Sequence, residues 1–224
     1  MRRSPVCIEK PSKSLIFEES SYTEPIMFIA IEWVDGAGKD TQLKLLLGYL
    51  IDQNKHRVIT KSREPSRMTE AGKKLNEIAQ QHIVVPPLET AKLFSEDRRE
   101  LELFRASLLA RDVWIISSRC DLTTYVYQGY ASGVSFEEIY ELHQDILAPE
   151  LTIVLMISVE TMLARLGSRS EAKEIYEQED FLRKCHAGYV SAIEFLKSKG
   201  RNIVVIDGEG SVEEVAERVQ NYFK

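Results

Sequence analysis

A glycine-rich segment near the start of the chain has the residue types that bind phosphate groups. It follows an apolar run of strand length, residues 26–34, and it precedes residues 41–51, where leucines recur at helical spacing. In a turn between a strand and a helix, glycines let backbone N–H groups converge on phosphate oxygens, and a lysine adds positive charge for the β and γ phosphates. The sequence therefore predicts an ATP site formed by Asp35, Gly36, Ala37, Gly38, Lys39, Asp40 and Thr41. A glycine turn beside a surface lysine is the alternative, which the strand and helix context disfavours.

The segment departs from the usual phosphate-loop pattern at both ends. In the pattern G-x-x-x-x-G-K-[ST], Trp33 replaces the first glycine and Asp40 replaces the final hydroxyl residue. That hydroxyl normally binds Mg²⁺, so Asp40 brings a full negative charge beside the triphosphate. Either the site is inactive, or the magnesium ligands have been rebuilt around this carboxylate.

Strand and helix patterns alternate along the rest of the chain. Apolar runs predict strands at residues 26–34, 57–62, 113–117, 151–157 and 202–206, and helical periodicity separates them. Five apolar strands separated by helices are typical of a parallel sheet with helices on both faces. We therefore predict a three-layer α/β fold of the P-loop NTPase type. Ligands bind beyond the carboxyl ends of the strands in such folds, so functional residues should directly follow strands.

The first part of the chain differs from the rest. Residues 1–25 are polar, rich in Ser, Lys and Glu, and lack apolar periodicity. Their glutamates fit neither a secretory signal nor an acid-poor transit peptide, so we predict a flexible extension. Met27 stands just before the first predicted strand and could be the natural start codon. Residues 26–224 contain no internal repeat and no linker rich in Pro, Gly or Ser, which predicts one domain.

The composition argues against several classes of protein. The chain of 224 residues has 29 Lys and Arg against 35 Asp and Glu, a net charge of −6, so we expect no nucleic-acid partner. No apolar run approaches the roughly 20 residues that span a bilayer, so we expect no membrane partner. The 3 Cys and 4 His residues lack the spacing of a zinc site, which predicts reduced thiols and a cytoplasmic protein.

Four further segments resemble the motifs of the thymidylate kinase family, in order and over essentially all of residues 27–224. Arg63-Glu64-Pro65 resembles its REP motif, and residues 94–98 resemble its F-x-x-x-R helix segment. Residues 117–129 resemble its D-R-[YH]-x-x-S-x-x-A-Y-Q-G stretch, and residues 166–176 fall about where the family has a short lid. The resemblance implies ATP-dependent phosphorylation of dTMP to dTDP with Mg²⁺, in a homodimer.

The resemblance assigns contacts with the acceptor nucleotide to residues of these motifs. Arginine side chains bind a phosphate dianion bidentately, which suits Arg63 and Arg119 in loops after strands. Phe94 and Arg98, four apart on one helix face, could stack on a pyrimidine and donate to a carbonyl such as O4 of thymine. The family motif also implies that Tyr127 lies near the sugar and helps to exclude a ribose 2′-hydroxyl, with Gln128, Thr123 and Thr124 near the base.

The resemblance also implies catalytic residues in the phosphate loop and the lid. Family members whose phosphate loop lacks a basic residue supply a catalytic arginine from the lid, and Gly36 occupies the loop position concerned. Arg165 and Arg169 are four apart at a predicted helix end, so both could close over the triphosphate. Asp35 matches the acidic loop residue of the family, placed to orient the acceptor sugar or an arginine. The predicted catalytic residues are Lys39, Asp35, Arg119, Arg165 and Arg169.

Structural roles are the alternative for several of these residues. Phe94 could belong to a helix core, because apolar residues continue its face, and Arg98 could belong to a solvated charge run. Arg63 could cap a turn, and the two threonines could simply begin a helix. Tyr127 could be a core residue, and each lid arginine could lie on a solvated helix face.

Two departures from the family pattern could be one compensated change. Ser118 stands where the family has the aspartate of its D-R-Y motif, and Asp40 stands where it has the phosphate-loop hydroxyl. In P-loop enzymes these two groups face the same Mg²⁺, so we hypothesise that Asp40 and Ser118 have exchanged duties as its ligands. Independent drift in a decaying site is the alternative.

Two other functions are also consistent with the sequence. Ser66-Arg67-Met68 replaces the G-G-T that follows REP in the family, so another pyrimidine nucleotide, such as dUMP or UMP, could be the acceptor. Asp40 could instead block magnesium-dependent transfer, which would leave a non-catalytic nucleotide-binding protein. Arg63 and Arg119 argue against that alternative, because a pure sensor needs no clamp for an acceptor phosphate.

Overall fold

The computed structural model describes residues 28–34, 38–167 and 179–224, and these ranges contain five strands. The strands are β1 (Phe28–Glu32), β2 (Ile59–Arg63), β3 (Trp114–Ser118), β4 (Leu151–Met156) and β5 (Ile203–Asp207). Each corresponds to a predicted strand. Four of the strands are largely buried and therefore apolar on both faces, whereas the edge strand β2 is only partly buried.

The strands form one parallel sheet in the order β2-β3-β1-β4-β5. The central strand β1 is buried over its whole length. Ile31 of β1 lies opposite Ser118 of β3, and Ser118 lies opposite Arg63 of β2. The carboxyl ends of three neighbouring strands therefore meet at one edge of the sheet, and the residues that follow them are gathered there.

Helices cover both faces of the sheet, as the three-layer prediction requires. They are α1 (Lys39–Gln53), α2 (Glu70–Gln81), α3 (Pro87–Leu109), α4 (Asp121–Thr124), α5 (Phe136–His143), α6 (Val159–Gly167), α7 (Glu179–Ser198) and α8 (Val212–Asn221). Ile29 and Ile31 of β1 pack into a core with residues of α1, α7 and α8. Phe28 and Ala30 pack into a second core with Leu108 of α3. Because alternate strand residues point to opposite faces, the two cores lie on opposite sides of the sheet.

The chain after β3 differs from the regular helix predicted for residues 123–130. α4 ends at Thr124, and the chain continues as a π-helical segment, Tyr125–Tyr130. This segment packs closely against α5, because a Cβ added at Gly129 would lie 2.9 Å from a ring carbon of Phe136. Helical periodicity in a sequence contains no information on such tertiary packing. The π-helical conformation, which has wider turns than an α-helix, could therefore not be predicted.

Some of the predicted features lie outside the described residues. These are the N-terminal extension, residues 1–25, and most of the predicted lid at about 166–176. Within the described ranges, no helix is both long and apolar enough to cross a membrane. Cys120 and Cys185 are buried free thiols.

Candidate active site

The described part of the glycine-rich segment begins at Gly38, directly before α1. Gly38 adopts a left-handed conformation (φ 84°), and its carbonyl accepts the N–H groups of Thr41 and Gln42. Lys39, the first residue of α1, is buried. The other predicted members of the ATP loop, Asp35, Gly36 and Ala37, lie outside the described residues. The helix start that was predicted to receive phosphates is therefore present, with its lysine in the first turn.

Asp40 and Ser118 contact each other between α1 and β3. The Ser118 hydroxyl donates to Oδ1 of Asp40 at 2.9 Å, and Nη1 of Arg63 lies 4.0 Å from Oδ2. Partial burial raises the pKa of Asp40, but the Ser118 hydrogen bond and the charges of Lys39 and Arg63 outweigh it and hold that pKa below its ordinary value. Asp40 is therefore ionised at neutral pH. The contact agrees with the hypothesis that these residues exchanged duties, and the shared metal remains a prediction.

The side chains of Asp40 and Ser118 suit a magnesium site in which phosphate oxygens supply the remaining ligands. Mg²⁺ is commonly held by one or two carboxylates together with substrate phosphates, rather than by a cage made only of protein groups. Within the described ranges, no group of three or more His, Cys, Asp and Glu side chains could hold a metal ion. Asp40 and Ser118 would supply the protein oxygens, and ATP would supply the phosphates.

A cavity of about 920 Å³ lies at this edge of the sheet, between the segments that follow β2 and β3. Its wall includes six of the predicted acceptor residues, which are Arg63, Phe94, Arg119, Thr123, Tyr127 and Gln128. A nucleoside monophosphate presents a dianionic phosphate, a sugar and a flat base. The wall offers guanidinium groups, hydroxyl groups and aromatic rings, which match those three parts.

The cavity wall does not include Arg98 and Thr124, and their contacts with the base remain a prediction. The Arg98 side chain is 2% exposed. Its Nε donates to Glu64 at 2.6 Å, and its Nη1 donates to His143 at 2.7 Å. Its Nη2 donates to the Cys120 carbonyl at 3.1 Å and to the Thr124 hydroxyl at 3.0 Å. Because most of its N–H groups bind protein acceptors, the Arg98 guanidinium joins neighbouring segments in this structure.

Glu64 connects this buried network to the loop that follows β2. Its Oε2 accepts from Arg98, and its Oε1 accepts from Nη2 of Arg105 at 2.8 Å, with all three side chains buried. Burial and the Arg98 charge lower the pKa of His143 to about 3, so this imidazole is neutral and accepts from Arg98. In the sequence, Glu64 stands out only as part of a motif, and no spacing pattern marks Arg105 or His143.

A second buried carboxylate fixes the loop between β2 and α2. Asp97 accepts from the N–H of Ser66 at 2.8 Å and from its hydroxyl at 2.7 Å. It also accepts from the Thr69 hydroxyl at 2.5 Å. The segment that departs from the family pattern after REP is therefore anchored to α3, and Arg67 within it lines the cavity.

Glu32, at the end of β1, is a third buried carboxylate beside the cavity. In the sequence it lies within an apolar run and was not predicted to be functional. Burial raises its pKa to about 7, although the hydrogen bonds that it accepts and the Arg119 charge act in the opposite direction. A single carboxylate within an apolar strand was the signal that could have identified it.

Arg165 lies against the loop between β5 and α8. Its Nη2 is 3.4 Å from the carbonyl oxygens of Gly208 and Gly210. Arg169 lies outside the described residues. The convergence of both arginines on a triphosphate therefore remains a prediction.

Comparisons with known proteins agree with this geometry. The sequence profile of the thymidylate kinase family matches residues 31–219. A thymidylate kinase of Mesoplasma florum is 35% identical over 201 residues, which are 87% of this chain and 93% of that protein. Thymidylate kinases of Alkalilimnicola ehrlichii (32% over 184 residues, 79% and 83%) and Nitrosospira multiformis (31% over 199 residues, 86% and 94%) are also similar. Because the match extends over most of the chain, this protein belongs to the thymidylate kinase family.

Proposed function

We propose that this protein transfers the γ-phosphoryl group of ATP to dTMP, giving ADP and dTDP. The observation that carries the proposal is the cavity wall, where predicted phosphate-binding arginines and a predicted base-stacking ring lie together. This wall adjoins the start of α1, because Arg63 lies 4.0 Å from Asp40. Family membership supports dTMP as the acceptor, since the similar proteins are named thymidylate kinase.

The residues on the wall would position the acceptor rather than activate it. A nucleoside monophosphate is already ionised at neutral pH, so its phosphate oxygen attacks the γ phosphorus without a general base, and the bond to the departing ADP breaks. Arg63 and Arg119 would hold that phosphate and reduce the repulsion between the two reacting phosphates. Lys39 would contact the β and γ phosphates from the first turn of α1. Mg²⁺, when bound, supplies further neutralisation of phosphate charge.

The remaining wall residues suit a deoxyribonucleotide. The Arg119 guanidinium lies 5.5 Å from the centre of the Tyr127 ring, so the proposed phosphate clamp and this ring are neighbours. A sugar links the phosphate to the base, so Tyr127 would lie beside the sugar and leave little room for a 2′-hydroxyl. Phe94 would stack on the thymine ring, and Gln128 and Thr123 would offer hydrogen bonds to its edge.

We also propose that Asp40 and Ser118 share the magnesium position with exchanged duties. Their 2.9 Å hydrogen bond keeps one carboxylate and one hydroxyl together, the same two ligand types that the family has in reversed positions. Asp40→Ser should weaken Mn²⁺ binding in the presence of ADP, measured by electron paramagnetic resonance, and should raise the Mg²⁺ concentration needed for activity. Adding Ser118→Asp should restore part of both. A double mutant no better than the single mutant would contradict the exchange.

We infer a homodimer and a cytoplasmic location from the family and the surface. The large apolar side chain of Leu103 on α3, which is not on the cavity wall, is 85% exposed. A second copy would cover such a side chain, and the buried free thiols Cys120 and Cys185 suit a reducing compartment. Light scattering should give a dimer mass for the wild type and a monomer mass for Leu103→Glu. A monomeric wild type would contradict the dimer.

Chromatographic measurement of ADP and dTDP in the same samples tests the phosphoryl transfer. The wild-type protein should form both products in equal amounts from ATP and dTMP. Arg63→Ala should raise the KM for dTMP about tenfold or more and change the KM for ATP little. Arg99→Ala is the matched control, because Arg99 lies on the surface of α3 and pairs with Asp145. Formation of ADP without dTDP would contradict the proposal.

A further inference from the structure

Glu32 joins the central strand to the segment that carries Arg119. It is the last residue of β1, and its side chain is fully buried. Its Oε1 accepts from the N–H of Cys120 at 2.6 Å, and its Oε2 accepts from the Thr123 hydroxyl at 2.5 Å. Burying a carboxylate costs hydration free energy, which these two short hydrogen bonds offset in part. Both of its oxygens are thus bonded to the chain that follows β3.

The backbone of Arg119 lies in the left-handed region, at φ 69°, which residues with side chains rarely adopt. Two groups of β1 hold this conformation. The N–H of Arg119 donates to the Ile31 carbonyl at 3.0 Å, and the next N–H, of Cys120, donates to Glu32. The Ser117 hydroxyl donates to the Arg119 carbonyl at 2.7 Å. The direction in which the Arg119 side chain leaves the backbone toward the cavity therefore depends on Glu32.

Thr123 lines the same cavity, and its hydroxyl donates its proton to Glu32. The lone pairs of a hydroxyl oxygen accept hydrogen bonds, so an ionised Glu32 makes Thr123 an acceptor for a group in the cavity. Such an acceptor matches an N–H or O–H donor of a nucleotide.

We propose that Glu32 is a positioning residue of the acceptor site, which directs the Arg119 guanidinium and presents the Thr123 oxygen as a hydrogen-bond acceptor. This inference rests on the proposed function, because it takes the cavity as the acceptor site. The inference goes beyond the proposed function because Glu32 is not on the cavity wall and acts through Arg119 and Thr123.

Glu32→Gln tests the proposal with little change in shape. The amide oxygen still accepts from Cys120, but the amide N–H₂ faces Thr123, so that hydroxyl must turn its proton elsewhere. We expect the KM for dTMP to rise about tenfold, while the KM for ATP changes less than about twofold. The dissociation constant of dTMP, measured by titration calorimetry without ATP, should rise by the same factor as its KM.

Two further variants separate positioning from folding. Val219→Ala truncates a buried side chain of α8 and should leave both KM values unchanged, so it controls for a loss of core stability. If circular dichroism shows that Glu32→Gln does not fold, Glu32→Asp replaces it. Its carboxylate is one methylene shorter and cannot reach both partners, so the KM for dTMP should again rise.

Binding by the wild type separates the two ways in which the proposal can fail. If the wild type binds dTMP and Glu32→Gln binds it equally well, the positioning role alone is overturned. Equal rises in the KM values for dTMP and ATP would also overturn it, because a generally loosened site produces that result. If the wild type binds no dTMP, the proposed function fails, and this inference fails with it.

Discussion

Two carboxylates near the predicted phosphate site have pKa values shifted in opposite directions. Burial raises the pKa of Glu32 to about 7, and the hydrogen bonds that it accepts oppose this only in part. Partial burial acts in the same direction on Asp40, but the Ser118 hydrogen bond and nearby cations outweigh it, so its pKa falls. Asp40 therefore carries a constant charge at neutral pH, whereas the charge of Glu32 changes close to neutral pH.

The Glu32 shift predicts how stability depends on pH. Between pH 4.5, the ordinary pKa of a glutamic acid, and about 7, folded Glu32 holds a proton that the unfolded chain has lost. Its contribution to the free energy of unfolding therefore falls as pH rises through this range. Glu32→Gln should gain stability relative to the wild type, by about 3 kcal/mol over the range. Urea unfolding of both proteins at several pH values measures this difference, and parallel profiles would contradict the shift.

Single residues show what motif spacing can and cannot predict. The motifs predicted that Asp40 and Ser118 lie together, because Asp40 is in the first turn of the helix after β1 and Ser118 ends the adjacent strand β3, and their contact is observed. Arg98 could not be placed in this way. Its partners Glu64 and His143 belong to segments far away in the chain, and their residue types and spacing formed no metal or catalytic pattern.

At the scale of elements, one carboxylate ties α3 to the end of β2. Arg98 and Arg105, both on α3, donate to Glu64, and all three side chains are almost fully buried. A buried charge that has lost its partner destabilises a protein far more than a surface charge does. The contact between these two elements therefore depends strongly on Glu64.

Glu64→Gln should lower the free energy of unfolding by about 3 kcal/mol or more, because it leaves two buried guanidinium groups without a counter-charge. Glu70→Gln is the matched control, since Glu70 pairs with Lys73 on the exposed surface of α2. Loss of this surface ion pair should lower the free energy of unfolding by less than about 0.5 kcal/mol. Urea unfolding measures the loss of stability in both variants. Equal losses would contradict the prediction that the buried Glu64 contributes more stability than the exposed Glu70.

The π-helical segment supplies a prediction about packing between elements. Gly129→Ala should destabilise the protein by about 1–3 kcal/mol, because the new methyl would meet the Phe136 ring at 2.9 Å. Gly48→Ala on the surface of α1 meets no atom within 4 Å and should stabilise by about 0.5–1 kcal/mol. Thermal unfolding should therefore shift in opposite directions for the two variants. A shift of the same sign in both would be evidence against close packing at Gly129.

Elements were predictable where burial alone determines them. Strands inside a parallel sheet are apolar on both faces, and β1, β3, β4 and β5 were recognisable as apolar runs, whereas the edge strand β2 (ITKSR) is polar and only partly buried. The segment after α4 was not predictable, because its packing against α5 depends on residues that come together only in the folded chain. The order of strands in the sheet also reflects such long-range pairing.

At the scale of the whole molecule, a chain of net charge −6 gathers cations at one edge of its sheet. Lys39 and Arg63 lie close to Asp40, and Arg63 and Arg119 line the same cavity, although the three residues belong to different segments. Salt screens charges beyond about 8–10 Å, so these local cations decide whether phosphates bind there. The net charge predicts that this protein does not attract polyanions in general. It does not predict that the fold brings these cations to one place.

A comparison of acceptors is the decisive test of dTMP phosphorylation by ATP. ADP release with ATP and Mg²⁺ is measured for dTMP, dUMP, UMP and no acceptor under the same conditions. We predict the highest kcat/KM for dTMP, a lower value for UMP because Tyr127 would crowd its 2′-hydroxyl, and only background release without an acceptor. A higher kcat/KM for UMP, or ADP release that no monophosphate accelerates, would show that this protein is not a dTMP kinase.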